Sequence, residues 1–216
     1  HSADADRFLG TVLFTDVVAS TELLADLGDS RYQDLRSIHE RSVRLAIEEA
    51  GGELINVIGD GTISVFEGPT TAVRCAERIC RESRQDGVVV RCGVHTGELQ
   101  RDGLNITGMT VHIGARVGAA AKPGEVLVSR TVRDLVVGSG LGFVSRDEHQ
   151  LKGVPGTWEL FAVAAANDQE GSVPQDPSIQ TPIDSMVIRS PRHAPRVSRA
   201  ALPMANAFER RRARTM

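Results

Sequence analysis

Two carboxylates stand at the ends of apolar runs. Asp16 closes Thr11-Val12-Leu13-Phe14-Thr15-Asp16, and Asp60 follows 44 residues later in Gly59-Asp60-Gly61, between Ile55-Asn56-Val57-Ile58 and Thr62-Ile63-Ser64-Val65-Phe66. Taken alone, an Asp between glycines is a turn former, because glycine supplies the backbone angles of a tight hairpin. Two carboxylates ending separate buried strands suit a divalent cation such as Mg²⁺, which takes oxygen ligands and needs only one or two carboxylates beside phosphate. That chemistry calls for a phosphate-bearing ligand and for elements that bring the two Asp together.

Residues 10–17 are nearly all apolar or β-branched, which predicts a central strand buried on both faces. Ser20-Thr21 before Glu22-Leu23-Leu24 predicts a helix start with hydroxyls at the cap. Beyond Gly28-Asp29-Ser30 a longer helix is expected, with Leu35, Ile38, Ser42, Ala46 and Ala50 on one face and Val43 and Ile47 beside it, stopped by Gly51-Gly52. Residues 53–66 then read as a hairpin, and Gly68-Pro69 as the opening of a helix that turns Ala72, Val73, Ala76, Ile79 and Cys80 inward. A strand is expected over Val88–Val94, a helix over Val111–Ala121 closed by Lys122-Pro123-Gly124, and a strand at Val126-Leu127-Val128. A short helix over Ser129–Val137 and strands at Phe143-Val144 and Trp158–Val163 complete the pattern. The order β-α-β-β-α-β, then α-β-α-β-β, gives an α+β fold class: a ferredoxin-like core, an antiparallel sheet with helices on one face, plus C-terminal α/β additions.

With 216 residues, 41% hydrophobic and 25% charged, the chain is long enough for one good-sized domain. No apolar run approaches the ~18 residues of a membrane span, and no signal peptide is visible. Cys75, Cys80 and Cys92 are odd in number and lack C-x-x-C spacing, so they read as small core residues of a reducing, cytoplasmic protein. A chain that opens on His1 reads as a piece of something longer, with room for an upstream domain. Residues 1–8 are expected to be a linker and 9–166 one folded domain. Residues 167–216 hold six of the nine prolines and a net charge of +3, including Arg210, Arg211, Arg212 and Arg214. They read as a disordered or loosely attached Pro/Arg-rich tail. The remaining 1–166 carry a net −6, which argues against a nucleic-acid binder. No membrane contact is evident either.

Six motifs in order decide among the two-metal nucleotide enzymes that share such a core. They are Leu13-Phe14-Thr15-Asp16-Val17-Val18-Ala19-Ser20-Thr21, Gly59-Asp60-Gly61, Arg91-Cys92-Gly93-Val94-His95-Thr96-Gly97, Val111-His112-Ile113-Gly114-Ala115-Arg116, Pro123-Gly124-Glu125-Val126-Leu127-Val128-Ser129 and Leu151-Lys152-Gly153-Val154-Pro155-Gly156. Together they resemble the class III adenylate/guanylate cyclase catalytic domain, in wording most like bacterial and actinobacterial members. The GG[DE]EF loop of diguanylate cyclases is absent. The resemblance implies a head-to-tail homodimer with two sites at its interface, each built from both chains. One chain would give Asp16, Asp60 and the Val17 carbonyl to two Mg²⁺ or Mn²⁺ ions. Its amides at 17–21, with Ser20 and Thr21, would cradle the triphosphate, and Arg91 would contact it. The partner chain would bring Lys152 to the terminal phosphates and Arg116 to the α-phosphate. The implied reaction is in-line attack of the ribose 3′-hydroxyl on the α-phosphate of ATP, giving cyclic AMP and pyrophosphate in signal transduction.

Three positions depart from the family pattern. The adenine-reading Lys is replaced by Asn56, the adenine-reading Asp by Asn105, and the ribose-orienting Asn by His112. An Asn amide carries both a donor and an acceptor, so this pair predicts weak preference for ATP over GTP. His112 would donate a ring N–H much as the Asn amide does. His95 and His149 have no partner at metal-ligand spacing and are expected to cap or pack. Outside the motifs, Arg91 and Arg116 would read as ordinary ion-pair residues and Lys152 as a loop lysine. The competing readings are a guanylate or mixed-specificity cyclase, a catalytically weak or silent nucleotide-binding regulatory module, and a DNA-binding regulator that rests only on the basic tail.

Overall fold

The computed structural model describes residues 6–164; the tail expected over 167–216 and residues 1–5 of the expected linker lie outside them. In chain order the elements are β1 (Arg7–Val17), α1 (Ser20–Leu27), α2 (Asp29–Glu49), β2 (Glu53–Ile58), β3 (Gly61–Phe66), α3 (Pro69–Gln85), β4 (Val90–Asp102), β5 (Asn105–Thr107), α4 (Met109–Ala120), β6 (Val126–Ser129), α5 (Arg130–Leu135), β7 (Phe143–His149) and β8 (Trp158–Val163). β1 begins inside the segment read as a linker, because Arg7 and Phe8 already pair with Gln100 and Leu99.

The sheet runs β2-β3-β1-β4-β6-β8-β7, with β5 paired to β4 outside that path. Its first four strands are antiparallel neighbours, the expected ferredoxin-like arrangement. β6 then joins β4 in parallel, so the sheet is mixed; a parallel partner requires a crossover, here made through α4. Val12 and Leu13, successive residues of β1, are both fully buried. Successive strand residues point to opposite faces, so both faces of the sheet must be covered. Leu13 packs in a core with Val43 and Ile47 of α2 and Val73 and Ile79 of α3. Val12 faces the other way, against Gly114 of α4. The expectation of helices on one face therefore holds for α2 and α3, while α4 covers the opposite one.

Three local differences have physical causes. The buried face of α2 is His39, Val43, Ala46 and Ile47, and Ile38 is 52% exposed: one residue of helical rotation carries Ile38 to the rim. The strand expected to end at Val94 continues to Asp102 and turns back as β5. Its polar middle hides the apolar signal, yet Thr96 shares a buried hydroxyl hydrogen bond of 2.9 Å with Thr11. No Ser20 or Thr21 hydroxyl caps α1; the cap position is Ala19, in the left-handed region at φ 57°. His95 packs as expected, with Nδ1 2.7 Å from Ser129 Oγ and its ring edge-on to Trp158. Burial pushes its imidazole down to about 4. Nε2 of His149 lies 2.7 Å from the Arg146 carbonyl, and the three cysteines are free and buried.

Candidate active site

Asp16 is the penultimate residue of β1, and its partner across the ladder is Arg91 of β4. The Arg91 guanidinium reaches one carboxylate oxygen of Asp16 twice, from Nε at 2.9 Å and from Nη2 at 2.5 Å. A third donor, Nη1, bonds the Ala119 carbonyl of α4 at 3.3 Å. On the other side of β1 the hairpin β2–β3 turns through the two-residue loop Gly59-Asp60, with Gly59 at φ 61°. Gly61 lets the hairpin close on β1, since a Cβ there would overlap the Thr15 carbonyl oxygen. The closure is pinned by Thr15 and Thr62, whose buried hydroxyls lie 2.7 Å apart; Thr62 N–H also donates to Thr15 Oγ1 at 3.1 Å. Asp16, Gly61 and Arg91 consequently line one groove with Phe14 and Ala115. Asp16 and Asp60 both stay partly exposed, at 49% and 23% of their side chains.

The chain leaves β1 at Val17 and turns sharply into α1. Val18 N–H bonds the Val89 carbonyl, and the left-handed Ala19 then starts the helix. The first amides of a helix have no intrahelical acceptor, so the turn at 19–22 offers donors to an anion. Tyr32 and Arg36, one turn apart on α2, face this region. Arg36 Nη2 donates to the Gly59 carbonyl at 2.8 Å, and its Nε lies 3.3 Å from Asp60 Oδ1. Tyr32 lines the same cleft as Asp60, and burial first, then the Asp60 carboxylate, raises its pKa.

A second group of side chains gathers elsewhere on the chain. His112 and Arg116 are exposed on α4 at i and i+4, the spacing that puts them on one face. Arg116 Nε donates to the Lys152 carbonyl at 3.1 Å, which ties α4 to the loop before β8. Asn56 on β2 and Asn105 at the start of β5 are also exposed, and their strands touch. Arg101 and Glu53 lock β4 to β2 through two hydrogen bonds of 3.0 and 2.7 Å. Asn56 Oδ1 accepts from its neighbour's amide, Val57 N–H, at 2.8 Å.

Asp16, Val17, Ser20, Thr21, Asp60 and Arg91 thus sit at one end of β1 and around its hairpin, with Asp16 and Arg91 lining one groove and Val17 and Asp60 lining another. Arg116 meets the Lys152 backbone, with His112 beside Arg116 on α4. Among the described residues, neither Arg116 nor Lys152 makes a hydrogen bond or ion pair with Asp16 or Asp60. Sequence reasoning missed Tyr32 and Arg36. The i, i+4 spacing with a large aromatic was the available signal, but α2 also carries Arg31, Arg41 and Arg44, which read as a solvated face.

The family model for the adenylate and guanylate cyclase catalytic domain matches residues 9–165. An uncharacterized protein of Rhizobium meliloti (strain 1021) is 30% identical over 170 residues, covering 68% of this chain; the chain spans 16% of that relative's length. The adenylyl cyclase CyaB from P. aeruginosa matches with a TM-score of 0.70 at 18% identity, over 76% of this chain and 97% of that one. The guanylate cyclase domain of RhGC from Catenaria anguillulae, solved in complex with GTP, matches at 0.66 and 18% identity, over 74% and 99%. At these identities the structural likeness speaks for the fold.

Proposed function

Because this chain belongs to the adenylate and guanylate cyclase catalytic domain family and is a class III nucleotide cyclase domain, we propose that it converts ATP to 3′,5′-cyclic AMP and pyrophosphate in sites shared between two copies. The observation that carries the reading is the division of the charged side chains. One chain carries Asp16 at the end of β1, Asp60 at the neighbouring hairpin tip and the turn into α1, while Arg116 on α4 bonds the Lys152 backbone and neither carboxylate. A head-to-tail pair would bring one group of each chain to the other group of its partner. Ile58 beside Asp60, and Leu104 and Met109 near Asn105 and His112, are 59%, 84% and 52% exposed, apolar surface that such a pairing would cover.

The donor set suits Mg²⁺ or Mn²⁺. Asp16 and Asp60 supply only oxygen ligands, and among the described residues no cluster of three or more His, Cys, Asp or Glu side chains could hold a metal by itself. The remaining ligands would come from the nucleotide phosphates, water and the Val17 carbonyl. When bound, two such ions acidify the ribose 3′-hydroxyl and neutralise the leaving pyrophosphate. The chain's own groups do the rest. Of the amides expected at 17–21, Val18 N–H is engaged by the Val89 carbonyl; those of 19–21, with the Ser20 and Thr21 hydroxyls, would hold the triphosphate, and Arg91, already oriented by Asp16, would contact it. The partner's Lys152 would take the terminal phosphates. The partner's Arg116 would meet the charge that grows on the α-phosphate as O3′ bonds to phosphorus and the bond to the β-phosphate oxygen breaks. His112, on the same helix face as Arg116, would orient the ribose.

Base preference follows from Asn56. With Oδ1 engaged by Val57 N–H, its NH₂ is the group left for a ligand. A donor at this position fits the adenine N1 acceptor and opposes the guanine N1–H, whereas the free Asn105 amide can serve either substituent at C6. The Asn56–Val57 bond is exposed and worth about 1 kcal/mol, so the preference for ATP is about tenfold or less. This low ceiling favours, as a second reading, use of GTP as well. No helix among the described residues is long and apolar enough to cross a membrane; use of ATP as substrate would put the site in the cytoplasm.

The test is product formation with Mn²⁺ and ATP or GTP over a range of protein concentrations, with Asp16→Ala as control. The expected result is a rate per chain that climbs with concentration, use of both nucleotides, and none by the control. A concentration-independent rate refutes the shared site, exclusive use of one nucleotide refutes the base argument, and no product from the parent chain refutes the enzyme.

A further inference from the structure

The hairpin tip that carries Asp60 is only a two-residue loop, its Gly59 exposed and left-handed. Such a tip has few restraints of its own. Arg36 of α2 supplies two, on successive residues: Nη2 to the Gly59 carbonyl at 2.8 Å and Nε to Asp60 Oδ1 at 3.3 Å. A planar guanidinium fork can make both contacts at once; a lysine ammonium cannot reproduce them. The contact with the Gly59 carbonyl does not involve the Asp60 carboxylate. One helical turn earlier on the same helix lies Tyr32. Tyr32, Arg36, Gly59 and Asp60 line one cleft with Leu23 and Val57. One turn of α2 therefore bonds the hairpin tip that bears Asp60 and shares a cleft with Leu23 of α1, the helix that Ser20 begins, so it can set the distance between the two.

We propose that Arg36, with Tyr32, is a positioning residue that fixes the Asp60 hairpin tip relative to the phosphate-binding turn. The inference rests on the reading of Asp60 as a metal ligand. It assigns no contact of Arg36 with substrate; Arg36 acts through Gly59 and Asp60. The charge of Arg36 by itself would weaken cation binding nearby, so charge and positioning predict opposite effects of removing it.

The experiment uses the full chain with Arg36→Gln and Arg36→Lys. The first readout is amide hydrogen exchange over 57–61 without nucleotide or metal. Both variants are expected to exchange about tenfold faster there, the loss expected from one charge-assisted hydrogen bond, with the α2 amides of Val43 and Ile47 unchanged. The second readout is the Mn²⁺ concentration for half-maximal cyclase activity, expected to rise about tenfold while kcat at saturating Mn²⁺ changes less than about threefold. If Arg36→Lys behaves like the parent in both readouts, charge alone matters and the proposal fails. If Arg36→Gln needs less Mn²⁺ than the parent, Arg36 is a competing cation and the proposal also fails. Should Arg36→Gln not fold, Arg36→Lys carries the test. Asp60→Ala with undiminished activity would sink the metal reading and the proposal together, whereas unchanged exchange in Arg36→Lys sinks the proposal alone.

Discussion

Replacing Gly93 by Ala tests whether α4, and with it Arg116, is placed by backbone contact. Gly93 sits in β4 where α4 crosses it, and a Cβ there would stand 2.9 Å from the Val117 carbonyl carbon and overlap the Gly118 amide nitrogen and Cα. These are main-chain atoms, so no rotamer change relieves the clash. Ordinary contact begins at 3.4 Å, and α4 must retreat by more than half an ångström, on the order of 1 Å at Gly118. The buried anchors of α4 are Val117 and Ile113, which pack on Leu127 and Leu160. Each buried side chain of that size contributes about 1.5–3 kcal/mol, and a gap of ~0.5–1 Å forfeits about a quarter to a half of its contact energy. With the strain of overpacking added, the expected loss is about 2–4 kcal/mol, read from urea unfolding. The same shift moves Arg116, and a ~1 Å misplacement costs about 100-fold in rate. Turnover with Mn²⁺ and ATP should therefore fall far more than nucleotide binding, because the carboxylate half-site lies on β1 and its hairpin. A Gly93→Ala chain within about 0.5 kcal/mol of the parent, with turnover within threefold, would refute the argument.

His112→Ala should lower turnover by about tenfold or more while changing nucleotide affinity less than threefold, separable by single-turnover kinetics and equilibrium binding; the reverse pattern would remove His112 from the catalytic group. Asn105→Asp offers only acceptors at the base edge, so the ratio of kcat/KM for ATP over GTP should rise about tenfold; an unchanged ratio would show that Asn105 does not face the base. Burial holds His95 near 4, below its ordinary 6.5, so the unfolded chain binds the extra proton between those values. The His95 contribution is complete above pH 6.5 and is lost as the pH falls toward 4. The total is about 3 kcal/mol, and urea unfolding of the parent against His95→Gln should show a flatter profile in the variant.

The carboxylates were legible because each has a local signature, Asp16 at the end of an apolar run and Asp60 between glycines. That the hairpin bearing Asp60 lies against the end of β1 was less so, since it depends on Gly61 meeting the Thr15 carbonyl and on Thr15 pairing with Thr62. Both are rungs of a ladder that no window of sequence contains. β5 escaped notice because three residues carry little periodicity and Asn105 reads as a turn former. The role of Arg36 was invisible for a different reason. Its type is common on α2, and only the fold shows which arginine faces the hairpin tip. His39 was passed over as a core residue because its ring counts as polar, yet Nδ1 finds Ser83 Oγ at 3.3 Å inside the helix layer.

The ladder between β1 and β4 runs from Arg7 opposite Gln100 to Val17 opposite Val90. Its rung at Asp16 and Arg91 joins residues 75 positions apart. Pairings of such separation must close a long loop before they return any contact energy, and chains dominated by them fold slowly. The pair that orients Asp16 therefore forms only when a late, non-local step of folding is complete. A chain still emerging from the ribosome, with β1 through α3 made but β4 not yet available, would carry Asp16 and Asp60 on a sheet whose central strand has one bare edge. The strand that supplies Arg91 to Asp16 is thus also the strand that covers the second edge of β1.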